Sequence, residues 1–143
     1  MQFTKAEGYG ILGVIYLAQH EENKVVPLSE ISEAKQVPEK FLAKIFQSLS
    51  KSGIISSHRG VRGGFSLAKK ADELSIKEIL ESIQGPYNLA KCTNDITNCG
   101  KTDFCSLREL LVIAEIELVK VFMKYTLADL IKWEREKAVS IFK

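Results

Sequence analysis

The stretch PEKFLAKIFQSLSKSGIISSHRGVRGGFSL, residues 38 to 67, constrains the fold more than any other part of this 143-residue chain. In its first half Phe41, Leu42, Ile45, Phe46 and Leu49 recur at helical spacing and form a core-facing stripe. Lys40, Ala43, Lys44, Gln47 and Lys51 fall on the other side. Pro38 suits the first helical position, and Gly53 is placed as the stop. The pattern then changes. Ile54 and Ile55 begin a short strand, Phe65 and Leu67 lie on a second, and Gly60, Gly63 and Gly64 make the turn between them. Upstream, a capping box from Thr4 to Glu7 opens a helix through about Gln19, apolar on nearly every side and so buried. Pro27 and Ser29 open a short helix, LSEISEAK, with Leu28 and Ile31 inward. Helix, short helix, longer helix, glycine-tipped hairpin is the order of a winged helix-turn-helix.

Charge is concentrated in the same region. Residues 35 to 70 hold eight basic residues (Lys35, Lys40, Lys44, Lys51, Arg59, Arg62, Lys69 and Lys70) against one acid, Glu39. That segment carries +7 of a net +2, leaving −5 for the rest. Such a concentration is the footprint of a phosphate-binding surface. In this fold the second helix enters the major groove and the wing reaches the backbone or minor groove. Lys40, Lys44 and Gln47 on the helix, with Arg59 and Arg62 on the wing, are therefore the candidate DNA contacts. GVRGGF matches neither a dinucleotide fingerprint nor a phosphate-binding P-loop, and a hairpin turn explains its glycines.

Beyond the wing, a second capping box from Ser75 to Glu78 starts SIKEILESIQ, which Gly85 and Pro86 end. From Ser106 to about Tyr125 a long helix carries Leu107, Leu110, Leu111, Ala114, Leu118, Val121, Phe122 and Tyr125 on one stripe. That stripe faces a partner as readily as a core. Thr126 and Asp129 cap a last helix, LADLIKWEREKAVSIF. The predicted class is mainly α with a small β-hairpin wing and a long C-terminal dimerisation helix. The expected division is a DNA-binding head at 1–84, a cysteine loop at 85–105, and a dimerisation and C-terminal helix region at 106–143.

All three cysteines lie between those last two regions. Cys92, Cys99 and Cys105 are separated by six and five residues, which is no CxxC or zinc-ribbon pattern. Closed zinc sites need four ligands, and His20 and His58 are far off in sequence. No secretory signal opens the chain, and the longest apolar run, GILGVIYLA, is too short to span a bilayer. The expectation is a cytoplasmic protein whose thiols stay reduced. Three clustered thiols in a polar loop then suit an iron–sulfur cluster. A metal-free thiol switch is the rival. A small metalloenzyme is weaker still, since no HExxH, no GxSxG and no paired ligands are present. The chain reads as no enzyme, with no small-molecule substrate and no membrane partner.

MQFTKAEGYGILGVIYLA, the stretch FLAKIFQSLSKSGIISSHRGVRGGFSLAKKADELSIKEILESI and the three-cysteine loop together resemble the IscR and NsrR regulators of the Rrf2 family. These are bacterial dimeric winged-helix transcription factors. The resemblance covers nearly the whole chain. It implies that Cys92, Cys99 and Cys105 hold a 2Fe–2S or 4Fe–4S centre and that the helix after the loop forms the homodimer. It implies two recognition helices on a palindromic operator of double-stranded DNA. The signal would be redox state, nitric oxide or iron–sulfur supply. Some members of the family lack a cluster and act in complexes, so partner-protein control is an alternative. The IscR type places a histidine ligand where this chain has Arg108, which cannot ligate. The NsrR type takes an acid from the partner's first helix, at a position that matches Gly8 here, beside Glu7. Glu7 of the partner subunit, Asp95, Asp103 or an exogenous small molecule are the candidates for a fourth ligand. The gap between the first two cysteines is one residue longer than the family's common spacing, which leaves the cluster type open.

Overall fold

The computed structural model describes residues 3–94 and 105–141. Within them run α1 (Lys5–Ala18), α2 (Leu28–Lys35), α3 (Glu39–Lys51), β1 (Ile55–His58), β2 (Gly64–Leu67), α4 (Ile76–Gln84), α5 (Lys91–Asn94), α6 (Ser106–Lys124) and α7 (Leu127–Ile141), with a 3-10 turn at Ala71–Glu73. The fold is a winged helix-turn-helix extended by two C-terminal helices.

The local signals form as the sequence dictates. Thr4 Oγ1 accepts from the Glu7 amide at 3.3 Å, and the Glu7 carboxylate accepts from the Thr4 amide at 2.7 Å. Ser75 and Glu78 repeat the arrangement at the start of α4, and Thr126 and Asp129 at the start of α7. Each box satisfies amides that a helix start leaves unpaired. The turn between α2 and α3 is closed by Ser32, whose hydroxyl donates to the Val37 carbonyl at 2.6 Å while its own carbonyl accepts from Val37 at 3.0 Å. Pro38 stands just before the first turn of α3 as its cap, one position earlier than expected.

The two strands pair antiparallel, from Ile55 opposite Leu67 to His58 opposite Gly64. Val26, in the connection between α1 and α2, adds a third position by exchanging two hydrogen bonds with Phe65, at 2.8 and 2.9 Å. Gly64 permits this. A Cβ there would overlap the Val26 carbonyl.

One core joins these parts. Val14 and Leu17 of α1, Ile31 of α2, Leu42, Phe46 and Leu49 of α3 and Ile79 and Leu80 of α4 are buried together, with Leu127 and Ile131 of α7. Helices α1 and α3 approach closely at Gly13, where a Cβ would lie 2.6 Å from the Phe46 ring. Even alanine there would force the two helices apart.

Two expectations about core faces change. Phe41 is 44% exposed and makes an edge contact with the Tyr9 ring at 5.7 Å. Leu42, Ile45, Phe46 and Leu49 fill the space that α1 and α4 offer, which leaves Phe41 on the rim. The single stripe of α6 divides in two. Leu111, Leu118, Phe122 and Tyr125 are half-buried, whereas Leu107, Leu110, Ala114 and Val121 are exposed. Among the described residues of α6 none is fully buried. No helix among the described residues is long and apolar enough to cross a membrane.

Candidate functional site

The first candidate surface is the outer side of α3 with the wing. Burial of Leu42, Ile45, Phe46 and Leu49 turns the opposite face to solvent, and Lys40, Lys44, Gln47 and Lys51 are all exposed there. Their spacing of four, three and four residues keeps them in one strip along the helix. Lys51 belongs with the three predicted contacts, and its place at the last turn of the same strip is the signal for it. The wing is held beside this strip. Phe65 sets its ring edge-on to the buried Phe46 at 5.1 Å, and its backbone is bound to Val26. A shallow groove between helix and wing is lined by Ala43, Lys44, Gln47, Ser50, Lys51 and Ser57, with Phe65 at its floor.

Arg59 and Arg62 lie at the exposed hairpin tip, Arg59 just before and Arg62 within a turn closed by the Gly63 amide donating to the Gly60 carbonyl at 2.9 Å. Val61 between them is fully exposed. His58 faces elsewhere. Its Nε2 lies 2.8 Å from the hydroxyl of the buried Ser66 across the hairpin, so it braces the wing. The arrangement presents cations from a rigid helix and a rigid turn at once, which suits the phosphates of a duplex.

The second candidate surface is the arm that carries Cys92. After α4 the chain turns at Gly85 and runs along α6. Tyr87 packs edge-on to Phe122 at 5.4 Å. The Leu89 amide donates to Glu115 Oε2 at 2.9 Å, and the Thr93 hydroxyl lies 2.6 Å from the same oxygen. Arg108 Nε donates to the carbonyl of Cys92 at 3.1 Å. As the arm's numbers rise, those on α6 fall, so the two run antiparallel. Cys105 is the residue that precedes α6. Cys92 and Cys105 are half-buried free thiols, Cys92 on the arm where Arg108 holds it and Cys105 just before α6. Cys99, Asp95 and Asp103 lie outside the described residues.

Glu7 needs separate treatment. It is 1% exposed, and one carboxylate oxygen accepts from both the amide and the hydroxyl of Thr4. Gln84 donates to the same Thr4 hydroxyl. Burial, and then the charge of Glu7, push the Tyr87 hydroxyl above its ordinary value, which places the arm beside the start of α1. To act as a ligand through that oxygen, Glu7 would have to give up its cap. Among the described residues no three His, Cys, Asp or Glu side chains come together as a metal site. The donor chemistry of Cys92 and Cys105 fits iron, since thiolates are the usual protein ligands of iron–sulfur centres.

Residues 3–133 match the model of Rrf2, described as an iron-dependent transcriptional regulator. Solved structures agree in fold. IscR of T. potens superposes with a TM-score of 0.76 at 23% identity, covering 96% of this chain and 90% of the other. CymR, the global cysteine regulator of B. subtilis, gives 0.75 at 22% identity, covering 93% and 98%. A transcriptional regulator from Listeria innocua gives 0.76 at 26% identity, covering 92% and 87%.

Proposed function

The chain belongs to the Rrf2 family of transcriptional regulators, and from that membership we propose a homodimer that binds a palindromic operator and reads an iron–sulfur cluster held by Cys92, Cys99 and Cys105. Regulators of this family bind DNA and usually act as dimers. The observation that carries the DNA contacts is the single exposed strip of Lys40, Lys44, Gln47 and Lys51 beside a wing that holds Arg59 and Arg62. Lys40, Lys44 and Gln47 meet the major groove or its phosphates. Arg59 and Arg62 meet the backbone or the minor groove. Two such heads would reach half-sites about 34 Å apart, one turn of the duplex.

The support for a dimer is α6. Leu107, Leu110, Ile113, Ala114 and Val121 leave an exposed apolar face on one side of a 19-residue helix. A second copy of the same face would cover it. Cys105 sits at the head of that helix and Cys92 on the arm beside it, so a change in what they hold would act at the junction between DNA-binding head and dimer interface. Bound there, a cluster would supply a centre reactive to oxygen and nitric oxide. The chain's own part is to bring Cys105 and Cys92 to one helix end and to keep the arm closed.

Two measurements test this. Anaerobically reconstituted protein should be coloured and contain iron and sulfide, and colourless, iron-free protein would remove the cluster. Selection from random duplex should return a palindrome, and a non-symmetric site would remove the dimeric readout. A second reading keeps the regulator and replaces the cluster by thiol chemistry at the two half-buried free cysteines. Reversible loss of operator binding on mild oxidation of iron-free protein would favour it.

A further inference from the structure

Arg108, Glu115 and Phe122 stand seven residues apart on α6, and each one holds the cysteine arm: Arg108 by the Cys92 carbonyl, Glu115 by Leu89 and Thr93, Phe122 by the ring of Tyr87. Seven residues are nearly two helical turns, so the three share one side of the helix. They lie away from the exposed apolar face that carries Leu110 and Ile113. One carboxylate oxygen of Glu115 takes two donors, one of them the backbone amide of Leu89. Hydrogen bonds to a charged acceptor are about twice as strong as neutral ones.

We propose that Glu115, helped by Arg108, is a positioning residue for the cysteine site: it presents Cys92 to the helix end that carries Cys105 before anything is bound. Its role rests on the proposed cysteine site, but its geometry does not. Arg108 then has a task of its own. It stands three residues after Cys105, and its guanidinium holds the chain at Cys92 through a backbone carbonyl. Unlike a thiol or imidazole it cannot compete for metal, because it stays protonated. Glu115 works at a distance from the thiols and donates nothing to a metal. Its carboxylate fixes the backbone two turns along, and through it the direction from which Cys92 arrives.

The test uses full-length protein with Glu115→Ala, Glu115→Gln and Thr93→Val. In iron-free protein, hydrogen exchange at the Leu89 amide should speed on the order of tenfold in Glu115→Ala, with a smaller rise in Glu115→Gln, whose neutral oxygen still accepts. In reconstituted protein, iron loss to a chelator, followed by absorbance, should rank alanine fastest, glutamine next and wild type slowest, again on the order of tenfold across the series. Thr93→Val should give a smaller acceleration and keeps the proposal testable if Glu115→Ala does not fold. Unchanged Leu89 exchange would overturn the latch. Faster exchange with unchanged iron loss would overturn the positioning role. If wild-type protein takes up no iron, the cluster reading fails, and Leu89 exchange still decides the latch.

Discussion

In α3, Leu42, Ile45, Phe46 and Leu49 are buried, whereas α6, six residues longer and more apolar, buries none of its side chains fully. The head closes on itself: α1, α2 and α4 cover the inner side of α3, and solvent keeps its polar strip with Phe41 at the rim. Helix α6 meets α4 on one side and the cysteine arm next to it, and its remaining apolar side has no cover among the described residues. The same residue types thus do two jobs. In α3 they define where the basic strip points. In α6 they leave a surface that the described residues do not bury.

The comparison breaks most severely at Phe46, the fully buried ring on which the wing rests. Phe46→Ala should cost about 3–5 kcal/mol of stability, read by urea unfolding, and loosen the wing as well. A drop of less than about 1 kcal/mol would mean that the head is not closed in this way. On α6 the opposite result is expected. Leu110→Lys should leave the unfolding midpoint of the head nearly unchanged but weaken self-association on the order of 100-fold, the weight of about 2.7 kcal/mol. Sedimentation that does not change would place the dimer contact elsewhere. A third substitution probes the polar side of the head. Arg59→Ala should weaken operator binding several-fold and lower the salt slope by about 0.9 for each phosphate it leaves unneutralised. An unchanged slope would remove Arg59 from the interface.

The smallest effect concerns acid. A hydrogen bond from Lys69 at 2.9 Å, opposed in part by burial, holds the Glu78 carboxyl below its ordinary value. Its folded value is therefore the lower one. The contribution to stability is present above the unfolded carboxylate value near 4.5 and disappears as pH falls through the folded value. Both side chains are about two-fifths exposed, so solvent screening limits the pair to about 0–1 kcal/mol. Lys69→Ala should lower stability near neutral pH by up to that amount and leave the acid end unchanged, which flattens the acid limb of a pH–stability curve. An unchanged acid limb would mean that Lys69 is not what holds the Glu78 carboxyl down.

Local signals were readable wherever chemistry and spacing agree within a few residues. The capping boxes at Thr4 and Ser75, the stop at Gly53, the hairpin around Gly60 and Gly63, and the strip of Lys40, Lys44 and Gln47 all follow from neighbours at most four positions apart. Periodicity says which residues share a face. It does not say what covers that face, or how far the cover extends. Phe41 and the divided stripe of α6 show this limit. Val26 joining the wing, and Arg108 and Glu115 holding the arm, were out of reach for the same reason. Their partners are 39, 16 and at most 26 residues away, and no local pattern records where the chain returns. The sequence by itself determined a basic winged head and a set of three thiols. Only the tertiary structure decided that a residue three places after Cys105 holds the backbone of Cys92, because that depends on the path of the arm along α6.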